Sequence, residues 1–172
     1  MWYVVQVMGG KERRVLQMID QIVGDSVLQE CFIPQYEIMK KFRGEWKRCT
    51  EILLPGYLFL ITKDVEQAAE ELRKVPAFTK LLGNNRAFTP LNADEITFLD
   101  SFTTKNHRVV EMSEGVIEGD EICITKGPLV RQAGLVKRID RHKRLAYLET
   151  TMFGRMVNIK VGLEIVRKRS NI

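Results

Sequence analysis

The sequence has few of the residues that build metal sites and disulfide frameworks. It contains three cysteines, Cys31, Cys49 and Cys123, which lie far apart with no close pair. Its two histidines, His107 and His142, are isolated from each other and from any cysteine. This spacing argues against a zinc site or a disulfide framework. We therefore expect buried free thiols on strands, with no metal and no cofactor.

Long apolar runs and targeting signals are also missing. No apolar run approaches the roughly 20 residues that a helix needs to cross a bilayer. The N-terminal stretch from Met1 to Val7 lacks the basic region and the small-residue cleavage site of a signal peptide. The sequence thus predicts a cytoplasmic protein that does not associate with a membrane.

The motifs of common catalytic sites are absent as well. There is no glycine-rich phosphate loop, no His/Cys metal spacing and no G-x-S-x-G motif around a nucleophile. The acidic residues lie mostly on predicted polar helix faces, where solvated charge is the usual explanation. Binding is favoured over catalysis, and an RNA-modifying enzyme lacks a recognisable site.

Positive charge is present, but it is unevenly placed. The chain of 172 residues carries 27 Lys/Arg and 22 Asp/Glu, for a net charge of +5. Residues 115–172 hold 12 of the basic and 6 of the acidic residues, net +6, which leaves residues 1–114 at net −1. An asymmetry of this kind indicates a nucleic-acid contact in the C-terminal part.

The rest of the chain is organised around the apolar stretch from Ile52 to Ile61. Pro55 and Gly56 form a turn inside it, so a strand is predicted to start at Tyr57. Because both faces of that strand are apolar, it belongs in the middle of a sheet. Leu54 and Tyr57 flank the turn and remain candidates for the surface.

The first hundred residues alternate between strand and helix patterns, which implies an antiparallel sheet with helices packed on it. Capping-box spacing at Asp64/Gln67 and Asn92/Glu95 opens two of the helices. The predicted elements are strands at 2–7, 28–33, 57–61 and 78–82, helices from Glu12, Asp64 and Asn92, and a hairpin of 36–42 and 45–52 around Arg43-Gly44.

The sequence pattern changes after residue 103. Thr103 to Ser113 is polar and shows no helical or strand period, which is typical of a linker. Five short strands with tight turns follow and indicate a small barrel. They are predicted at 121–125, 135–140, 145–150, 155–160 and 164–167.

Several motifs resemble a known family. Trp2 to Gln6, Gly10-Lys11-Glu12 and Leu54 to Phe59 are similar to the N-terminal domain of the NusG family of transcription elongation factors. Lys126 to Leu129 and Met152 to Arg155 resemble its KOW domain. The resemblance implies an α+β fold: an NGN domain at 1–103 with an antiparallel sheet, a linker at 104–114, and a five-stranded SH3-like KOW barrel at 115–172. The linker and basic C-terminal part favour a specialised, LoaP-like antiterminator.

What the resemblance implies is processive antitermination by a monomer that docks on the clamp helices of RNA polymerase. The contact would be an apolar pocket lined by Trp2, Leu54 and Tyr57, although Trp2 could instead pack in the core. The KOW barrel would recruit Rho or a ribosomal protein through Met152 and Phe153. A ribosome-associated KOW-type RNA-binding protein is the alternative.

Two basic clusters are candidates for nucleic-acid binding. In the hairpin, Phe42 and Trp46 interleave with cations and could stack on unpaired non-template DNA, or the hairpin could simply be solvated. The C-terminal cluster is predicted to bind RNA, such as a leader hairpin. The candidate residues are Lys40, Lys41, Arg43, Lys47 and Arg48 in the hairpin, and Arg131, Lys137, Arg138, Arg141, Lys143, Arg144 and Arg155 beyond it.

Overall fold

The structure is a computed structural model that describes residues 1–84 and 86–166. Its regular elements follow the predicted order through the first hundred residues. In chain order they are β1 (Trp2–Val7), α1 (Glu12–Ile22), β2 (Glu30–Phe32), β3 (Gln35–Phe42), β4 (Glu45–Ile52), β5 (Tyr57–Ile61), α2 (Val65–Leu72), β6 (Thr79–Leu81), α3 (Ala93–Phe102), β7 (Val109–Val110), β8 (Ser113–Glu118), β9 (Glu121–Lys126), β10 (Val136–Asp140), β11 (Leu145–Met152) and β12 (Arg155–Ile165).

The chain forms two compact units. Unit 1 combines Met1–Pro34 with Leu54–Phe98, and unit 2 combines Gln35–Leu53 with the chain from Leu99 onward. The β3–β4 hairpin therefore belongs by its contacts to the same unit as the C-terminal strands. The domain bounds drawn from the sequence, 1–103, 104–114 and 115–172, stay a prediction.

Unit 1 is built on a four-stranded antiparallel sheet in the order β2-β5-β1-β6. The predicted central position of β5 is confirmed, because it lies between β2 and β1 and its three middle side chains, Leu58 to Leu60, are fully buried. Helix α1 packs on β2 and β5 through a buried stripe that includes Val15 and Ile19. Apolar residues at helical spacing thus cover one face of the sheet.

Side-chain caps fix the starts of two helices, as the sequence predicted. The Asp64 carboxylate accepts a hydrogen bond from the Gln67 backbone N–H at 3.1 Å ahead of α2. Before α3, the Asn92 side chain accepts from the Glu95 N–H at 2.8 Å, and Glu95 accepts from the Asn92 N–H at 3.0 Å. This reciprocal pair satisfies two backbone donors that a helix N-terminus otherwise leaves unpaired.

Unit 2 contains a five-stranded sheet in the order β10-β11-β12-β8-β9 and a three-stranded sheet in the order β4-β3-β7. The five strands curl around an apolar core, so the predicted α+β class with a small five-stranded barrel is confirmed. The interior of the barrel includes Leu129, Leu148, Met152, Ile159 and Leu163, each almost completely buried.

The set of five barrel strands differs from the predicted set. The sequence pattern predicts two strands in place of β12, and the second of them extends to Arg167, which lies outside the described residues. The structure has one strand from Arg155 to Ile165 that passes through Gly162. A Cβ on Gly162 would collide with the Met112 side chain and the Glu37 carbonyl. The glycine therefore allows close approach of β3 and does not mark a turn.

Strand β8 was missed, and the predicted linker is partly strand. Val109–Val110 pairs in parallel with Gln35–Tyr36, and β8 begins at Ser113. The Ser113 hydroxyl is buried and accepts a hydrogen bond from the Leu129 N–H at 3.0 Å. A buried serine and a glycine at 115 dilute the apolar pattern of β8, which is why the pattern gave no strand there.

Candidate functional site

The turn before β5 is the first candidate surface. The Tyr57 N–H donates to the Leu54 carbonyl at 3.3 Å, and Gly56 lies between them at φ +88°. Proline at the second position and a positive φ at the third are the requirements of a type II turn. The local sequence therefore fixes the turn that presents Tyr57 at the start of the strand.

The side chain of Glu12 is hydrogen-bonded to this turn. One of its oxygens accepts hydrogen bonds from the Gly56 N–H at 2.9 Å and from the Gly10 N–H at 3.1 Å. Burial alone would raise the pKa of Glu12, but its own N–H and those of Gly10 and Gly56, together with nearby Arg13, lower it below the ordinary 4.5. The carboxylate is therefore charged at neutral pH and links α1 to the turn.

Substituting Glu12→Gln is expected to lower the free energy of unfolding at pH 7 by about 1 to 2 kcal/mol, because a neutral amide oxygen accepts the two N–H groups more weakly. A pKa lowered in the folded state contributes stability above the unfolded value, and that stability is lost as the pH falls through the folded value. Urea unfolding of both proteins should therefore show their difference shrinking below pH 4.5. A difference that stays constant with pH would contradict this role.

The three residues predicted to line one polymerase pocket lie at two places. Leu54 and Tyr57 meet at the turn, where Leu54 is only 3% exposed and Tyr57 is half-buried. Trp2 pairs with Ile61, whereas Tyr57 pairs with Gln6. A shift of four residues along a strand corresponds to about 13 Å. The geometry does not bring Trp2 to the turn that carries Tyr57.

Trp2 belongs to an aromatic cluster on the sheet of unit 1. Its ring meets the Phe32 ring edge-on, with centroids 5.6 Å apart and planes at 80°. Phe32 in turn stacks on Phe59 at 5.6 Å and 19°. Trp2 is half-buried in this arrangement. These contacts agree with the alternative stated in the sequence analysis, in which Trp2 packs in the core.

Unit 1 also carries an apolar cleft that the sequence patterns do not predict. It has a volume of ≈ 200 Å³, and its lining includes Val15 and Met18 of α1 and Met8, which lies ahead of that helix. Phe78 lies at its edge and is 55% exposed, and Lys11 and Arg14 add positive charge. The one sequence signal that could have indicated this cleft is Phe78, an aromatic residue at the start of a predicted short strand.

The three cysteines are free thiols on β2, β4 and β9. Their position on strands was predicted, but they are half-buried and not fully buried. Burial, with the charges of Asp20 and Glu30 nearby, raises the pKa of Cys31 to about 12. That thiol stays protonated at neutral pH and is a poor nucleophile.

In unit 2, the predicted basic hairpin presents its cations unequally. Lys40 forms an ion pair with Glu51, and Arg48 lies 3.7 Å from Glu37. No ion pair within residues 1–84 and 86–166 involves the other three hairpin cations. Those three are Lys41, Arg43 and Lys47, all exposed.

The basic turn between β10 and β11 is ordered by its own residues. The Asp140 carboxylate accepts a hydrogen bond from the Lys143 N–H at 3.0 Å. This bond, with the charges of Lys143 and Arg138, lowers the pKa of Asp140. Arg138 stacks over the Tyr147 ring at 4.0 Å. Arg141, on the same turn, is exposed to solvent.

The hairpin and the basic turn meet, although they are far apart in the sequence. The Arg144 guanidinium lies over the Trp46 ring, 4.0 Å from its centroid, and also pairs with Glu164 at 3.4 Å. Between the two segments is a groove of ≈ 440 Å³, which we call the basic groove. It is lined by Tyr36, Ile38, Met39, Lys40, Lys41, Phe42, Trp46, Glu51, His142, Lys143, Leu145 and Lys160.

The other predicted binding residues lie outside this groove. Arg131 and Lys137 are exposed, and Arg155 follows the β11–β12 turn. Met152, predicted to contact a partner factor, is only 1% exposed and fills the barrel, so its side chain is not presented at the surface. Phe153 is half-buried at the tip of the turn with φ +53°, in the left-handed region. A non-glycine residue there carries about 1 kcal/mol or more of backbone strain.

The architecture is an α+β unit followed by a small β-barrel, and comparisons with known proteins identify its family. A family described as "Transcription termination factor nusG" matches residues 1–99, more than half of the chain. The chain therefore belongs to the NusG family of transcription factors, and the predicted family is confirmed. Within the described residues, no helix is long and apolar enough to cross a membrane.

Relatives and a solved structure extend the match over nearly the whole chain. The transcription termination/antitermination protein NusG of Campylobacter jejuni is 23% identical, over 97% of this chain and 96% of its own. That of Staphylococcus carnosus is 25% identical, over 97% and 94%. The structure of Thermotoga maritima NusG superposes with a TM-score of 0.53 at 18% identity, covering 94% of this chain and 92% of that one. The last likeness concerns the fold alone.

Proposed function

We propose that this chain is a bacterial transcription elongation factor that acts in processive antitermination. The observation that carries the proposal is the combination, on one chain, of the NusG-family fold with a solvent-exposed basic groove in unit 2. The curated relatives that match over 97% of the chain are named transcription termination/antitermination proteins. A specialised, LoaP-like paralogue fits the concentration of positive charge in the C-terminal part.

In this proposal the turn at Leu54–Tyr57 docks on the clamp helices of RNA polymerase. Tyr57 is the anchor, because its ring is half-buried and the type II turn and Glu12 hold the backbone that carries it. A rigid, partly exposed aromatic residue is the kind of side chain that dominates the energy of an interface. Leu54 is buried beneath the turn and supports Tyr57 by packing. Trp2 does not touch the polymerase in this proposal and contributes by stabilising the sheet that carries Tyr57.

The basic turn at 141–144 supplies the RNA contact. Its exposed cations can neutralise phosphates, and arginine can also stack on an unpaired base or donate two hydrogen bonds to it. Phe153 remains the residue proposed to recruit a further factor, such as Rho or a ribosomal protein. The strained turn that holds Phe153 at the end of the barrel supports this role.

The direct test is single-round transcription across an intrinsic terminator, with and without the protein, on templates that do or do not encode a leader RNA hairpin. We expect increased read-through, largest on the template with the cognate leader. No change in pausing or termination on any template would refute the proposal. Co-purification with ribosomes in place of RNA polymerase would favour the ribosome-associated alternative.

A further inference from the structure

The lining of the basic groove combines two chemical characters. Its apolar surface comes from Ile38, Phe42, Trp46 and Leu145, and the ammonium groups of Lys41, Lys143 and Lys160 lie around it. Glu51, the one carboxylate among the described residues that line the groove, already accepts from the Tyr36 hydroxyl at 2.7 Å and pairs with Lys40. The positive charge at the rim is therefore not neutralised from within the groove.

Three features of the segments around this groove are unfavourable in the free protein. Lys40 lies directly opposite Lys47, and like charges at facing strand positions are destabilising. Phe42 is 51% exposed and Trp46 is 38% exposed, so apolar surface remains in contact with water. Arg144 adopts φ +56°, which is strained for a non-glycine residue, while its guanidinium covers the Trp46 ring. A ligand that covers the Phe42 and Trp46 rings would take this apolar surface out of contact with water.

We propose that the basic groove binds an unpaired nucleotide, and that the hairpin and the basic turn hold one and the same single strand. The base lies against Phe42 and Trp46, and the flanking phosphates contact Lys41 on one side and Lys143 and Lys160 on the other. Stacking on aromatic side chains within a positively charged groove is the general way in which proteins bind single strands. Arg144 contributes by fixing the orientation of the Trp46 indole.

The groove favours a single strand over a duplex or a protein. Its apolar lining lies in a concavity, so a base must leave its stack to reach it. A protein segment could fill the apolar part but would need acidic side chains spaced to meet three ammonium groups. The inference rests on the proposed RNA contact of the basic turn, and it changes the assignment of the hairpin. The hairpin and the turn then serve one ligand and not two.

The test uses the full chain and fluorescence anisotropy with three labelled probes: a short single-stranded RNA, a DNA of the same sequence, and the matching DNA duplex. Phe42→Ala is expected to weaken single-strand binding about tenfold without changing its salt dependence, because a stacking contact is lost. Lys41→Glu and Lys143→Glu should each weaken binding and reduce the salt slope by about one unit. Single strands should also quench the Trp46 fluorescence, and Trp46→Phe should remove that quenching.

The outcomes separate this inference from the proposed function. If Lys143→Glu weakens RNA binding but Phe42→Ala and Lys41→Glu do not, the turn binds RNA alone and the shared groove is wrong. If none of the three variants matters, both ideas fail. Equal affinity for the duplex and the single strands would also overturn the inference. Lys105→Glu, an exposed lysine of unit 2 outside the groove, is the matched control and should bind like wild type.

Discussion

Tyr57→Ala is expected to weaken binding to a transcription elongation complex about 30-fold, equivalent to about 2 kcal/mol, and to remove antitermination. The reason is that Tyr57 is half-buried on a turn whose backbone is fixed by Gly56 and by the Glu12 carboxylate. Truncation removes the aromatic ring but leaves that turn in place. Affinity should be measured by titrating reconstituted elongation complexes with labelled protein.

Two further variants make this result interpretable. Tyr57→Phe keeps the ring and should retain most of the affinity. Phe78→Ala removes an exposed ring from the apolar cleft of unit 1 and should bind polymerase like wild type. The docking assignment is wrong if Tyr57→Ala is folded and binds normally, or if Phe78→Ala takes its place as the damaging change.

Trp2→Ala should behave differently from Tyr57→Ala. Trp2 packs edge-on against Phe32 within an aromatic cluster, so its removal is expected to lower the free energy of unfolding by about 2 to 4 kcal/mol. Urea unfolding measures this loss directly. If the Trp2→Ala protein has wild-type stability but has lost polymerase affinity, Trp2 contacts the polymerase directly and the structural role is wrong.

Local signals in the sequence predicted much of unit 1. The Pro55-Gly56 pair marks a turn that the structure confirms, and the capping residues Asp64 and Asn92 stand where α2 and α3 begin. Each of these depends on neighbours within a few residues, so the sequence alone contains the required information. Residues 28–33 gave a strand that the structure shortens to Glu30–Phe32.

The errors in the barrel arose where distant chain segments decide the structure. Gly162 reads as a strand end, but β3 approaches so closely that only glycine fits within β12. Ser113 reads as linker, but its hydroxyl is satisfied inside unit 2 by the backbone of Leu129. Neither contact can be inferred from residues next to it in the chain.

In the candidate sites, too, neighbouring residues in the sequence predicted the parts, and contacts between distant segments decided how the parts combine. Residue type identified the basic hairpin and the basic turn separately, and the sequence assigned them to two different nucleic acids. Only the fold brings Trp46 under Arg144 and Phe42 into one groove with Lys143. Conversely, the sequence motifs placed Trp2 and Tyr57 in one pocket. The strand register separates them, because Trp2 pairs with Ile61 at the end of β5 that lies away from Tyr57.

Reversing Arg141 and Lys143 together to Glu is expected to weaken binding of leader RNA by at least about 50-fold at 0.1 M salt and to reduce the salt slope by about two units. Both residues are exposed on the turn, and neither side chain forms an ion pair within the described part of the chain. Each lost phosphate contact removes the release of about one counterion. Arg144 is left unchanged because it stacks on Trp46 and pairs with Glu164.

Affinity should be measured over a series of salt concentrations, since the slope separates phosphate contacts from other losses. The matched control reverses two exposed lysines outside the groove, Lys63→Glu with Lys105→Glu, and imposes the same change in net charge. If total charge alone attracts RNA, both double variants will lose affinity equally and the turn is not a site. Polymerase docking through Tyr57 should survive in both, because the docking turn is intact. Unchanged RNA affinity and slope in the Arg141/Lys143 variant would remove the basis for direct RNA binding by the turn.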